Sequence, residues 1–119
     1  MEIIFKESAA GCTAIIRMEG PFIFETQDAL DLMADCSYRG ATGILLKAGH
    51  LDKKFFDLKT GLAGDILQKF SNYRMKLAIA GEFSNITSKS LRDFIRESNR
   101  QGQVSFVESE EEGLRVLEL

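Results

Sequence analysis

His50 and Asp52, two residues apart, are the one place in the chain where an imidazole stands close to a carboxylate. Histidine titrates near neutral pH, so such a pair can move a proton; with Lys54 and Asp57 close behind, it would supply the polar groups of a small acid–base site. Ten residues after His50 comes Thr60, preceded by Lys59 and followed by Gly61 and Leu62. A hydroxyl at a helix start can carry a phosphate, whose roughly −1.5 to −2 charges would sit well against backbone N–H groups and the helix dipole. Lys53, Lys54 and Lys59 lie within reach of that charge along the sequence. The simpler role for Thr60 is to cap the helix, its oxygen accepting a backbone N–H. A turn-forming role is likewise the simpler one for His50.

No matching nucleophile and no glycine-rich phosphate loop accompanies these residues. One histidine and two distant cysteines offer no metal-ligand spacing, so no catalytic residue, metal or cofactor is assigned. Farther along, Lys89, Arg92, Arg96 and Arg100 recur at offsets of three and four and form one basic stripe on a helix, beside Asp93 and Glu97. A solvated face with cross-turn ion pairs explains this pattern first, and a docking face for an acidic partner second.

The elements that must position these groups are legible from periodicity. Ile3–Phe5 reads as a short strand and Ser8–Gly11 as a turn of small residues. Cys12–Met18 reads as a second strand with Cys12, Ala14, Ile16 and Met18 on one face. Gly20-Pro21 breaks the pattern, and Phe22, Ile23 and Phe24 follow as three large apolar residues that seal the core edge or, if exposed, form a contact patch. Thr26 is the expected cap of a helix on which Ala29, Leu32, Met33 and Cys36 recur at helical spacing, ending at Arg39-Gly40. The apolar run Gly43–Ala48 is a strand, and the charged segment His50–Lys54 is a loop. A helix from about Thr60 packs through Leu62, Ala63, Ile66, Leu67 and Phe70. Gly61 and Gly64 on this helix suggest close approach to a strand, a ligand or another subunit, with packing on the sheet placed before a ligand. Met75–Gly81 is the next strand. A helix lies between Thr87 and Asn99 with Gly102 as its stop, followed by a strand at Gln103–Val107. Ser109 and Glu112 form a capping box for a last helix through Leu114 and Leu117.

The order ββαβαβαβα, with no linker or repeat, predicts one α/β domain over residues 1–119. Its mixed five-stranded sheet has an antiparallel N-terminal pair and about four helices. At 119 residues the chain can bury a core without disulfides or metal. Cys12 and Cys36 are expected to be buried free thiols. A net charge of −3 argues against nucleic acid. No apolar run is long enough to span a membrane, and no signal-like leader opens the chain, so a cytoplasmic setting is expected.

The second strand ending in Arg17-Met18-Glu19-Gly20, the strand–loop–helix of Gly43–Phe70 with Thr60-Gly61-Leu62, and the Ser88–Ser98, Val104-Ser105-Phe106 and acidic-helix ending together resemble the STAS domains. These occur in anti-sigma-factor antagonists and in the cytoplasmic tails of sulfate transporters. In phosphorylatable antagonists of that family the hydroxyl before Gly-Leu is the switch, and the resemblance puts Thr60 at that position. The family's Asp-Ser-Ser-Gly-Leu stands here as Asp57-Leu58-Lys59-Thr60-Gly61-Leu62, the acid displaced by one residue and a lysine in place of the first serine. The segment Phe55–Phe70, with Asn72-Tyr73-Arg74, Leu77-Ala78-Ile79 and Ser88–Phe94, is more closely similar to a bacterial family known as domain of unknown function 4180, which implies no activity.

Three functional readings follow. The first is a STAS-like regulatory module that binds a protein partner through Asp52–Leu62, with Asp57, Lys59, Thr60, Gly61 and Leu62 as its recognition residues. The second is a small-ligand-binding protein or small enzyme with a cleft near His50, Asp52, Asp57 and Lys54. The third is a subunit that assembles with copies of itself, through an N-terminal edge strand. Small sheet-and-helix domains without a catalytic constellation usually work by binding, so the first is preferred and an enzyme is the less favoured outcome.

Overall fold

A computed structural model describes residues 1–119. The chain forms β1 (Glu2–Ser8), β2 (Gly11–Arg17), α1 (Thr26–Tyr38), β3 (Gly43–Lys47), α2 (Leu62–Asn72), β4 (Lys76–Ala80), α3 (Lys89–Gln101), β5 (Val104–Val107) and α4 (Glu110–Leu117). This is the expected single α/β domain. The sheet runs β1-β2-β3-β4-β5, with β1 antiparallel to β2 and every later pair parallel.

That order explains the layering. Three successive parallel crossovers step in one direction across the sheet, and crossovers of one hand then set their helices on one face. Accordingly α1, α2 and α3 share a single core of 23 buried residues with Ala14, Ile16, Ile44, Leu46, Leu77, Ile79, Val104 and Phe106. The opposite face carries the alternate side chains Ile15, Leu45 and Ala78, and it is left to α4, which buries Leu117 there. One short helix can serve that face only by lying close to it. Gly113 makes this possible: a Cβ there would stand 2.6 Å from Leu45 Cδ1 and 3.5 Å from Ala78 Cβ.

Several local expectations shift. Lys6 and Glu7, which sequence leaves outside the first strand, lie within β1, whose register with β2 runs from Glu2↔Arg17 to Ser8↔Gly11. The cap of α1 is Glu25 rather than Thr26. Asp28, in the first turn, accepts from the N–H groups of Phe24 and Glu25 at 2.9 and 3.1 Å. Ser109 caps α4 as expected, but Glu112 reaches back to the N–H of Glu108, one residue before the cap. Cys36 is buried and Cys12 only half-buried; both are free thiols.

Close packing does not explain Gly61 and Gly64, since neither has an atom within 4 Å of where a Cβ would point. Gly61 instead holds a left-handed turn at φ 79°. Gly64 is an exposed helical glycine.

Two substitutions separate these roles. Gly113→Leu should lower stability by about 1–3 kcal/mol through overpacking against Leu45. Gly64→Ala should raise it by roughly 0.5–1 kcal/mol, because alanine is the better helix former. Denaturant melts of both proteins decide the matter; an unaltered midpoint for Gly113→Leu would mean that α4 is not seated on Leu45.

Candidate functional site

Parallel strands deliver their carboxyl ends, and the loops that follow them, to one edge of the domain. Here that edge collects Met18–Glu25 after β2 and Ala48–Gly61 after β3. The segment after β3 is neither an open loop nor the start of a helix. It is a chain of three 3-10 turns, Ala48–His50, Lys53–Phe56 and Leu58–Thr60, before α2 begins at Leu62. Asp52 and Asp57 set the second and third turns, each carboxylate accepting the N–H two residues on, from Lys54 at 3.0 Å and Lys59 at 3.3 Å. Phe55 is driven into the core at 1% exposure, and Phe56 packs edge-on against it. The lysines between these anchors face water.

Thr60 closes the series. Its hydroxyl oxygen lies 2.8 Å from the Lys54 carbonyl and 2.9 Å from the Asp57 carbonyl, so its single proton is shared between them. The same oxygen accepts the N–H of Leu62, the first residue of α2, at 3.2 Å. Thr60 therefore ends the turn that precedes the helix, two residues before Leu62 and with Gly61 at the cap position, and its hydroxyl fastens the lysine-bearing turns to α2. The residue itself remains exposed.

His50 is buried, at 2% exposure. Its Nδ1 accepts the N–H of Lys47 at 3.0 Å, and its Nε2 lies 2.9 Å from the carbonyl of Met18. An acceptor at Nδ1 and a carbonyl at Nε2 together require the neutral ring with its proton on Nε2. Burial holds the imidazole below its ordinary value of about 6.5; the Met18 carbonyl pulls it back up, the Lys47 and Arg17 cations lower it and Glu110 raises it. Both nitrogens are thus spent on backbone. Asp52 accepts from Lys54 rather than from the ring, so the sequence spacing of His50 and Asp52 does not translate into an acid–base pair.

A shallow cavity of about 410 Å³ lies beside His50, lined by Glu2, Arg17, Glu19 and Lys47 among others. Its two cations are already engaged by Glu110 at the start of α4. No three His, Cys, Asp or Glu side chains converge in a metal-holding arrangement. Burial, with the Asp35 charge adding to it, pushes the Cys36 thiol up to about 11, so it stays protonated at neutral pH.

The basic stripe of α3 is present but committed. Lys89 and Arg96 both hold Asp93, Arg100 holds Glu97, and the Arg92 guanidinium donates to the carbonyls of Ile86 and Thr87. These hydrogen bonds hold Asp93 and Glu97 below the usual carboxylate range. By contrast Lys53, Lys54 and Lys59 take part in no ion pair. Of Phe22-Ile23-Phe24, Ile23 is buried, Phe22 packs against the His50 ring, and only Phe24 is exposed, at 44%.

The family model described as domain of unknown function (DUF4180) matches residues 10–117, so the chain belongs to that family. No curated protein and no solved structure matches it. No helix is long and apolar enough to cross a membrane.

The His50 geometry sets a pH dependence. The unfolded chain takes up a proton near pH 6.5, whereas the folded ring resists it, so stability is full above that value and falls as pH drops below it. Wild-type protein should lose stability from pH 7 towards pH 5. His50→Gln should be less stable at pH 7, by about 1–3 kcal/mol for the disturbed buried bonds, yet flatter across that window. Equal pH slopes for the two proteins in chemical denaturation would show that His50 is not held neutral.

Proposed function

For this member of the DUF4180 family we propose a STAS-like regulatory role: a binding module that docks an acidic protein surface on the turns between Asp52 and Leu62, with Thr60 as the residue that switches it. The observation that carries the reading is the uncommitted charge. In a chain of net charge −3, three lysines within seven residues make no ion pair, and they project from turns held rigid by Asp52, Asp57, Phe55 and the Thr60 hydroxyl. A rigid platform loses little conformational entropy on binding, and unpaired charges at its rim steer an oppositely charged partner.

Phosphorylation of Thr60 would act on this platform in two ways. It would place about −1.5 to −2 charges among Lys53, Lys54 and Lys59, cancelling their attraction for an acidic surface. It would also remove the proton that the hydroxyl donates to the Lys54 and Asp57 carbonyls, loosening the turns from α2. The position of Thr60 before Gly61-Leu62, the exposure of its side chain and the ββαβαβαβα order of elements support the STAS-like assignment. The α3 stripe, neutralised by its own carboxylates, is the weaker docking face. A small enzyme working through His50 would need a free ring nitrogen.

Wild-type, Thr60→Ser and Thr60→Glu proteins, used as parallel baits in extract of the native cell, should recover one partner with the first two and at least tenfold less of it with the third. Lys53→Glu with Lys54→Glu should lose the same partner, whereas Arg92→Glu with Arg96→Glu should keep it. Equal recovery by wild type and Thr60→Glu removes the switch, and equal recovery by the lysine variant removes the docking surface.

A further inference from the structure

The two edges of the sheet are treated differently. At the β5 edge the outward backbone groups are taken by side chains of α3. Ser98 donates to the Val104 carbonyl, while the Asn99 amide accepts the N–H of Phe106 at 2.6 Å and donates to its carbonyl at 3.2 Å. Nothing does this for β1. The register with β2 fixes which groups are free. Cys12 turns its carbonyl to the Thr42 N–H and its N–H to the Thr42 hydroxyl, away from β1. The Glu7↔Cys12 pair is therefore not hydrogen-bonded, and along the strand Ile3, Phe5 and Glu7 direct their N–H and C=O groups outward. An unprotected strand of seven residues invites pairing with another strand.

The sequence of β1, Glu2-Ile3-Ile4-Phe5-Lys6-Glu7-Ser8, is complementary to itself in one antiparallel register. We propose that this chain forms a twofold dimer by pairing β1 with β1 of a second copy, centred on Ile4. That register puts Ile3 and Phe5 in hydrogen-bonded pairs, Ile4 against Ile4 on the twofold axis, and Glu2 opposite Lys6 twice, where the Lys6 ammonium, which already holds Glu118 of its own chain at 2.8 Å, would be shared between the two carboxylates. Centring on Phe5 would set Ile4 against Lys6 and Ile3 against Glu7, and centring on Lys6 would oppose two lysines. Like charges directly opposite destabilise a pair, whereas opposite charges and apolar contacts stabilise it. Ile4 is 39% exposed, more than its apolar neighbours on β1, and the dimer would cover it. Beside the free edge α1 presents Asp28, Asp31 and Asp35 around a small cleft containing Ile3 and Met1. The Arg39 guanidinium lies 4.7 Å over the Phe5 ring, and this register carries the second copy's Phe5, with its arginine, to the Ile3 position beside those carboxylates. The two copies would form one continuous ten-stranded sheet.

Sedimentation velocity on the intact chain should give a species of twice 13.3 kDa. Ile4→Lys, a change at a solvent-facing position, should give the monomer. Glu2→Lys and Lys6→Glu should each weaken self-association by roughly tenfold, since each opposes like charges at two places, and an equal mixture of the two should recover the dimer. Circular dichroism establishes that each variant is folded. In amide hydrogen exchange the N–H groups of Ile3, Phe5 and Glu7 should be protected in the wild type and fast in Ile4→Lys. A wild type that stays monomeric at high concentration overturns the dimer. A dimer indifferent to all three substitutions, or a mixture that fails to associate while the wild type does, overturns this edge or this register.

Discussion

Four backbone groups meet at His50. Its ring takes the N–H of Lys47 at one nitrogen and the carbonyl of Met18 at the other, while its own carbonyl accepts the N–H groups of Phe22 and Ile23 at 2.9 and 3.1 Å. The connection after β2 has no regular structure and turns at Gly20 with φ 76°, so its backbone groups need partners from elsewhere. His50 bonds three of them, the Met18 carbonyl and the N–H groups of Phe22 and Ile23, and joins the ends of β2 and β3. From that knot the Asp52 N–H bonds the Ile23 carbonyl, and the second 3-10 turn begins. The lysine platform hangs from this histidine. A charged ring would turn a donor toward the Lys47 N–H and undo the arrangement, which is why burial and neutrality belong together here.

The fold was legible because its units repeat: a strand of alternating or continuous apolar residues, a helix with 3.6 periodicity, a turn residue between them. Ala29, Leu32, Met33 and Cys36 announce α1, and Leu62, Ala63, Ile66 and Phe70 announce α2; all are buried. Where the reading slipped, the residue type was ambiguous. Lys6 and Glu7 fall outside the first strand in the sequence because their charges break the apolar run, yet an edge strand with one wet face can carry charge without ceasing to be a strand. Gly113, in a short helix after three glutamates, carries no mark of its role in the local sequence. Its reason lies across the sheet in Leu45 and Ala78, about which local sequence carries no information.

The candidate site was half legible. Thr60, Asp57 and the lysines were visible as polar groups between a strand and a helix, but single 3-10 turns have too short a period to register as structure. The usable signal was the repeated Asp-x-Lys of Asp52–Lys54 and Asp57–Lys59, each an aspartate that bonds the N–H two residues ahead. His50 gave no such signal. Among Gly49, Asp52 and Lys53 it looks exposed, and only the long-range approach of Met18 makes it a core residue. Spacing in sequence suggested a His50–Asp52 pair. The backbone outcompeted it on both sides, because a buried N–H or carbonyl left unpaired costs more than an exposed carboxylate gains from an imidazole.

The unpaired lysines after β3 and the free backbone edge of β1 lie in separate places, with β2 between them in the sheet. That separation has a geometric consequence. A twofold axis through paired β1 strands sets the two sheets edge to edge with their parallel strands running in opposite directions. The carboxyl ends of β3 in the two copies then point away from each other, and each lysine platform stays open to solvent. Such a dimer would not grip one partner with two copies of the same surface, as a clamp with both sites on one side would. It would present one docking surface at each end and hold two partner molecules apart, so the avidity of paired sites would require a partner that is itself multivalent or long enough to reach around the sheet.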